Sequence, residues 1–231
     1  MKSPIIVFDL DGTLIDTAPD LLDSLNHCLG TVGLKCAEAA DFRSILGHGG
    51  RALIERAFAA QRRDLSLSEH DRLYALFLSH YGENIPGRSA PYPGVPAALG
   101  RFRVAGYRMA ICTNKTEAFS QRLISQLGMS DLFAAICGAD TFAYRKPDPR
   151  HLLSTIEDAG GDPARAVMVG DSRTDIDTAK AAGIPVVAVD FGYTDRHVRE
   201  FEPSRVISSF DELTVELTEH LIRAAEGKSG S

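Results

Sequence analysis

The sequence predicts a doubly wound (Rossmann-like) α/β fold, with a parallel sheet covered by helices on both faces and an inserted α-helical cap. Two observations lead to this prediction. Short apolar runs bounded by turn residues alternate with helical patterns over most of the 231 residues, an alternation typical of parallel sheets. One long early stretch holds helical patterns without a convincing strand. That stretch indicates an insertion into the α/β fold.

Six short apolar runs are expected to form the strands of the sheet. They occupy residues 5–8, 109–112, 134–137, 166–169, 185–189 and 205–207. Helical patterns between them cover residues 95–105, 119–127, 151–159 and 174–182. Gly160 and Gly183 follow the last two patterns and are expected to end those helices.

The predicted insertion covers residues 17–85 and has helical patterns at 20–30, 37–44, 51–60 and 68–81. Ser68 is the expected N-cap of the last of these helices. Residues 82–94 are dense in Pro and Gly, as is typical of a linker, and the other connection is expected near residues 15–18. The predicted domains are therefore an α/β core made of residues 1–16 and 86–231 and a helical cap made of residues 17–85.

Composition narrows the classes of partner. The chain is 44% hydrophobic and 24% charged, which is typical of globular proteins. Its net charge of −6 does not indicate the basic surface that binding to nucleic acids or anionic membranes usually requires. No apolar run is long enough for a membrane span or a signal peptide. The four cysteines lack CxxC spacing and are expected to be reduced core residues of a cytoplasmic protein. Monomer and homodimer both remain open.

Polar residues follow the predicted strands at the point where each strand ends. These residues are Asp9 and Asp11, Thr113 and Asn114, and Asp171. Lys146 lies in the loop beyond the strand at 134–137, just before a helix start marked by Asp148 and Pro149. Because ligands of open parallel sheets bind at the carboxyl ends of the strands, these side chains are expected to meet at one edge.

Bringing Asp9, Asp11 and Asp171 together requires positive charge, because neighbouring carboxylates repel one another. A Mg²⁺ ion held by oxygen ligands would supply it, and Lys146 would add a further charge. Such a site is matched to a phosphoryl group. The expected cofactor is therefore Mg²⁺, and the expected partner is a small phosphorylated metabolite.

The spacing of the first two carboxylates indicates a two-step hydrolysis. Asp9 would attack phosphorus to form an aspartyl-phosphate, and Asp11 would first protonate the leaving oxygen and then activate water. A phosphomonoester hydrolase with these two catalytic residues is the leading interpretation.

Four segments resemble the motifs of the haloacid dehalogenase superfamily of phosphatases: "DLDGT", "ICTNK", "KPDP" and "GDSRTD". The resemblance implies a role for each matched residue. Asp9 is the nucleophile and Asp11 the acid and base; Thr113, with Asn114 beside it, and Lys146 bind the phosphoryl group; Asp9, Asp171 and the backbone carbonyl of Asp11 hold the metal; Asp175 supports them. The helical insertion resembles the family's first type of cap.

Further segments look most like the phosphoglycolate phosphatase branch: "DTAPDL", "LGHGGRALIERAF", "TNK" and "FGYTD". This resemblance implies hydrolysis of 2-phosphoglycolate to glycolate and phosphate. In the predicted cap, His48 lies among glycines just before a helical stretch that begins with Arg51. Backbone N–H groups at such a helix start favour anions, so His48 and Arg51 are expected to contact the substrate carboxylate.

Several alternatives share these residues. A phosphosugar mutase would return the phosphoryl group to its substrate, and a phosphatase or pyrophosphatase could act on another small phosphorylated metabolite. Carbon–halogen hydrolysis is disfavoured because it has no need of Asp11, and a non-catalytic phosphate-binding module because the chemical residues are all present. At single positions, Asp175 could serve only as a first-turn helix carboxylate, and Asn114 could serve only to shape its loop.

Overall fold

The structure is a computed structural model that describes residues 2–42, 46–47 and 49–229. Its strands are β1 (Ser3–Phe8), β2 (Ile15–Asp16), β3 (Ala90–Pro91), β4 (Arg108–Cys112), β5 (Ala135–Cys137), β6 (Gly161–Gly170), β7 (Val186–Val189) and β8 (Arg205–Ile207). Six of them form one sheet in the order β5-β4-β1-β6-β7-β8. All neighbours in this sheet pair in parallel, which confirms the predicted fold class.

The helices alternate with these strands along the chain. They are α1 (Ala18–Thr31), α2 (Ala39–Phe42), α3 (Gly50–Ala60), α4 (Leu67–Asn84), α5 (Val95–Val104), α6 (Glu117–Gln126), α7 (Pro149–Asp158), α8 (Arg173–Ala181) and α9 (Val215–Ser229), with 3-10 turns at Ser130–Leu132, Val198–Phe201 and Phe210–Glu212. The ends of α5 to α8 agree with the sequence patterns to within two residues. Part of the pattern at 37–44 lies outside the described residues.

The central strand β1 is buried on both faces. Ile6 and Phe8 point into one apolar cluster and Ile5 and Val7 into another, all fully buried, because successive side chains of a strand face opposite ways. Helices α7 and α8 contribute to the second cluster. Burial on both faces leaves the carboxyl ends of the strands as the place where polar groups can gather.

Helices α1 to α4 lie between β2 and β3, and those two short strands pair with each other. Ile15 is opposite Pro91 and Asp16 is opposite Ala90 in an antiparallel ladder. The two connections expected from the sequence, near 15–18 and 82–94, are thus joined side by side. The sequence did not predict this pairing.

Several expectations are wrong in detail. Ser66, not Ser68, caps α4, where its Oγ accepts the N–H of Glu69 at 3.2 Å. Helix α9 was not predicted. The four cysteines are free as expected, but Cys36 is exposed, because it follows α1 in a connecting segment outside the core. Among the described residues, no helix combines the length and apolarity needed to cross a membrane.

Candidate active site

Asp9, Asp171 and Asp175 gather where β1 and β6 end. These two strands are neighbours with Phe8 opposite Val169, so the residues that follow each strand emerge side by side. Carboxylate oxygens of the three residues lie within 4.8 Å of one another, and all three side chains are buried. They form an acidic cluster that can bind a metal ion.

Lys146 enters this cluster from the loop before α7. Its Nζ is 2.8 Å from Asp9 Oδ1 and 2.6 Å from Asp175 Oδ1, and its side chain is only 2% exposed. Asp148 caps α7 by accepting the N–H of Arg150, with Pro149 in the first turn. The predicted helix start is therefore confirmed, and it fixes the end of the loop that carries Lys146.

Burial and mutual repulsion decide the electrostatics of the acidic cluster. Burial raises the pKa of Asp9 to about 6, against the opposing effect of Lys146. Burial, Asp175 and Asp9 together raise the pKa of Asp171 well above its ordinary value. Burial lowers the pKa of Lys146, but the carboxylates of Asp175 and Asp9 outweigh it and raise that pKa. Three carboxylates and one ammonium leave an excess of negative charge, which an oxygen-coordinated divalent cation would neutralise.

Asp171 is held by the segment that follows β1. Thr13 Oγ1 donates to Asp171 Oδ1 at 3.0 Å, and the backbone N–H of Tyr193 donates to Oδ2 at 2.6 Å. Gly12 packs so closely that a Cβ there would lie 2.5 Å from Asp171 Oδ2, and its φ is +81°. Only glycine combines this backbone conformation with this approach.

Asp175 both caps α8 and supports the cluster. Its Oδ2 accepts the N–H groups of Asp171 and Ser172 at 3.2 and 3.0 Å and the Ser172 hydroxyl at 2.6 Å. Ser172 in turn accepts the N–H of Asp175, which completes a capping box. The carboxylate is thus a first-turn helix group and a partner of Lys146 at once.

Thr113 and Asn114 organise the turn after β4. Thr113 is buried, its N–H donates to Cys137 O at 3.0 Å, and its Oγ1 accepts the N–H of Lys115 at 3.2 Å. Asn114 Nδ2 donates to the backbone carbonyl of Lys146 at 3.0 Å. Asn114 therefore shapes the loop that presents Lys146, one of the two readings that the sequence left open.

This geometry can be compared with known proteins. The family profile described as "Haloacid dehalogenase-like hydrolase" matches residues 6–189. The chain belongs to this family. The motif resemblance is thereby confirmed.

Curated relatives of this hydrolase carry the name phosphoglycolate phosphatase. One from Mesorhizobium japonicum is 71% identical over 225 residues, covering 97% of this chain and 99% of its own. Another from Agrobacterium fabrum is 48% identical over 220 residues, covering 95% and 94%. Together with the family match, these relatives show that the chain is a phosphoric monoester hydrolase.

Solved structures share the architecture. The crystal structure of "a predicted phosphoglycolate phosphatase" from Haemophilus somnus 129PT matches with a TM-score of 0.86 and 30% identity, covering 94% of this chain and 99% of that one. A mutant of CbbY from Rhodobacter sphaeroides, in complex with xylulose-(1,5)bisphosphate, matches with a TM-score of 0.74 and 25% identity, covering 91% and 96%.

Lys115 of this hydrolase was not singled out from the sequence. Its Nζ lies 3.0 Å from both carboxylate oxygens of Asp11 and 4.5 Å from the centre of the Tyr81 ring. Burial lowers the pKa of Lys115, but Asp11 and Tyr81 outweigh this and raise it. Asp11 is thus set apart from the acidic cluster with a cation of its own. The available signal was a lysine two residues after Thr113 at a strand end.

The two residues expected to contact the substrate carboxylate, His48 and Arg51, lie apart from the acidic cluster or outside the described residues. His48 lies outside the described residues. Arg51 donates to Asp71 at 2.8 Å and stacks over the Tyr74 ring at 4.3 Å, with its side chain half exposed. These contacts keep Arg51 within the helical segment, on its surface.

Tyr193 is a second residue that the sequence did not identify. Besides its backbone bond to Asp171, its hydroxyl donates to Asp16 Oδ1 at 2.5 Å and accepts the N–H of Ala18 at 2.8 Å. One residue therefore connects the acidic cluster to the start of α1. The segment "FGYTD" contained the signal, but only as a resemblance.

Proposed function

We propose that this hydrolase converts 2-phosphoglycolate and water to glycolate and phosphate, with Mg²⁺ as cofactor. The observation that carries the proposal is a buried Asp9 in contact with Lys146 and surrounded by two further carboxylates. That arrangement suits a nucleophile facing a phosphoryl group. The name shared by the two curated relatives supports the choice of 2-phosphoglycolate.

In the first step, a carboxylate oxygen of Asp9 attacks phosphorus and the bond from phosphorus to the ester oxygen breaks. Asp11 gives its proton to the departing oxygen, which leaves as glycolate. Lys146 balances the charge of the phosphoryl oxygens through its ammonium group. Thr113, at the end of β4, donates its hydroxyl to the same group, and Asn114 keeps the Lys146 loop in place.

In the second step, water attacks the phosphorus of the aspartyl-phosphate. Asp11, now a carboxylate, takes the proton from that water, and the bond from phosphorus to Asp9 breaks. Phosphate leaves, and Asp9 and Asp11 return to their starting states. Lys115 Nζ, 3.0 Å from Asp11 Oδ2, places an ammonium group beside this carboxylate.

The metal would be held by the side chains of Asp9 and Asp171 and by the backbone carbonyl of Asp11. The fit rests on a buried, oxygen-only donor set with excess negative charge. When bound, Mg²⁺ supplies positive charge to the phosphoryl oxygens. Asp175, whose oxygens accept bonds from Lys146 and Ser172, supports the site.

Residues 17–85 would act as a cap over a core of residues 1–16 and 86–231. The paired strands β2 and β3 bring both connections together, as a cap that moves as one body requires. The substrate is a small phosphorylated metabolite, and cytoplasm is the compartment that the free cysteines favour.

The test is phosphate release from purified protein with Mg²⁺ or with EDTA. The panel contains 2-phosphoglycolate, sugar phosphates, nucleotides and pyrophosphate. We expect 2-phosphoglycolate to be preferred and EDTA to abolish release. Isomerised sugar phosphate without free phosphate would instead support the mutase alternative.

Asp9→Asn tests the nucleophile, because an amide cannot form the acyl-phosphate. We expect it to lower kcat by at least about 1,000-fold. The matched control is Asp177→Asn on α8, where the carboxylate is exposed and pairs with Arg173; it should keep parental activity. An Asp9→Asn protein as active as the parent would refute the mechanism.

A further inference from the structure

We infer that Lys115 binds the carboxylate of the substrate and so selects phosphorylated acids over neutral phosphate esters. The inference rests on the proposed function and deepens it, because it assigns the specificity of that site to one residue. It also moves the expected carboxylate contact from Arg51 to the sheet edge.

Lys146 and Lys115 differ in the number of carboxylates that they contact. Lys146 is already committed to two carboxylates, Asp9 and Asp175, and the phosphoryl group would be its further partner. Within the described part of the chain, Lys115 pairs with one carboxylate, that of Asp11. Its side chain is only 7% exposed, so water screens its charge little. Lys115 is therefore a buried cation available to a second anion at this edge.

The distance from Lys115 to Asp11 suits a carboxylate that adjoins the ester oxygen. A general acid must come within about 3 Å of the ester oxygen that it protonates. In 2-phosphoglycolate one methylene separates that oxygen from the carboxylate, a span of no more than about 4 Å. Lys115 Nζ lies 3.0 Å from both oxygens of Asp11. When Asp11 reaches the ester oxygen, these lengths allow the ammonium group to reach the adjoining carboxylate.

The ammonium group of Lys115 has one more N–H donor than Asp11 has carboxylate oxygens. An ammonium group has three N–H donors, and Asp11 offers two oxygens to them. The remaining side of Lys115 faces the ring of Tyr81, which is 2% exposed and belongs to α4. A carboxylate is a stronger partner for an ammonium than a ring face is. A substrate carboxylate that replaces this ring contact therefore leaves both bonds to Asp11 in place.

Arg51 is the competing candidate and is less suited to the role. It is half exposed and paired with Asp71 at 2.8 Å. Exposed ion pairs contribute little because water and salt screen them.

The experiment compares 2-phosphoglycolate with 2-phosphoglycolamide, its neutral isostere, in the full-length Mg²⁺-loaded protein. We expect the parent to prefer the acid in kcat/KM by about 100-fold or more. Lys115→Met should bring the ratio of the two values close to one, whatever the absolute rates. Lys115→Arg, which keeps the charge, should retain much of the preference. Lys180→Met, an exposed lysine on α8, is the matched control and should leave the ratio at the parental value.

Four outcomes overturn the inference. Equal rates of the parent on acid and amide would show that no carboxylate is read, while the phosphatase activity would stand. A Lys115→Met protein that loses activity on both substrates by one factor would show that Lys115 acts only through Asp11. A ratio that collapses in Arg51→Met instead would place the contact on α3. Absence of phosphate release from either substrate in the parent would refute the proposed function itself and the inference with it.

Discussion

At the scale of single residues, two lysines divide the carboxylates between them. Lys146 holds Asp9 and Asp175, and Lys115 holds Asp11. The two aspartates that are one residue apart in sequence therefore have separate cations. That separation suits the proposed roles, because the nucleophile acts on phosphorus while the proton carrier acts on the ester oxygen.

Gly12→Ala should disable the site while leaving the sheet intact. The new Cβ would lie 2.5 Å from Asp171 Oδ2 on a backbone with φ +81°. We expect a stability loss of about 1–3 kcal/mol from this strain and a fall in Mg²⁺-dependent phosphate release of at least about 100-fold. Urea unfolding and kcat measure the two effects.

The matched control for this change is Gly100→Ala in α5. A Cβ there meets nothing within 4 Å, and alanine favours helix over glycine by about 1 kcal/mol. The control should therefore be as stable as the parent or more so, with unchanged kcat. A Gly12→Ala protein with parental activity would show that the displaced carboxylate of Asp171 does not matter.

At the scale of elements, the N-terminal cap of α8 is in direct contact with the active site. The Ser172 hydroxyl donates to Asp175 Oδ2, and the other oxygen of Asp175 accepts from Lys146. Helix capping and the position of the ammonium group are thus coupled through one carboxylate. A change that weakens the cap should also be felt in catalysis.

Ser172→Ala is the change that tests this coupling. Loss of the cap should lower the free energy of unfolding by about 1 kcal/mol, and looser placement of Asp175 should lower kcat by about 10-fold. Ser209→Ala is the control, since Ser209 forms the same kind of capping box at the 3-10 turn Phe210–Glu212. It should cost similar stability with parental kcat. Equal kcat in both variants would contradict the coupling.

Patterns that repeat along the chain predicted the strands of the main sheet and the helices before α9, but not α9 itself. Apolar runs indicated each strand of the main sheet, and Gly160 and Gly183 lie just beyond α7 and α8. Strands β2 and β3 have two residues each, too few for any periodicity, so only the fold could pair them. Ser66 was missed as a cap, although Glu69 stands three residues after it, as a capping box requires.

The sequence predicted that distant residues meet at one sheet edge, but not which of them contact each other. The two-carboxylate motif identified Asp9 and Asp11, and the turn after β4 identified Thr113. Lys115 and Asp11 are 104 residues apart in the sequence. Whether such an ammonium group meets a given carboxylate depends on the direction that each long side chain takes in the folded protein. For the same reason, no pattern revealed that Arg51 pairs with Asp71.

At the scale of the whole molecule, Tyr193 connects the acidic cluster to the helical segment. Its N–H binds Asp171, while its hydroxyl binds Asp16 and Ala18 at the start of α1. A change of charge in the acidic cluster is therefore expected to affect Asp16 and Ala18 through Tyr193. The stability of the protein should depend on how that charge is balanced, by protons or by a metal ion.

The sign of this dependence follows from the two raised carboxyl pKa values. Asp9 has a pKa of about 6 when folded against 3.8 as an ordinary carboxyl group, and the pKa of Asp171 is raised as well. Between these values the folded protein binds more protons than the unfolded chain. By linkage, the contribution of Asp9 to metal-free stability is full below about pH 4 and is lost as the pH rises through about 6, and the raised pKa of Asp171 acts in the same direction.

Mg²⁺ should reverse this loss, because it competes with protons for the same carboxylates. We expect 10 mM Mg²⁺, compared with EDTA, to raise the unfolding midpoint by about 5 °C at pH 7.5 and by about 1 °C at pH 5. Thermal unfolding followed by circular dichroism measures both shifts. Asp171→Asn removes one carboxylate and should give a smaller Mg²⁺ shift and a flatter metal-free pH dependence than the parent. An Mg²⁺ shift of equal size at both pH values would show that the cation binds away from the buried carboxylates.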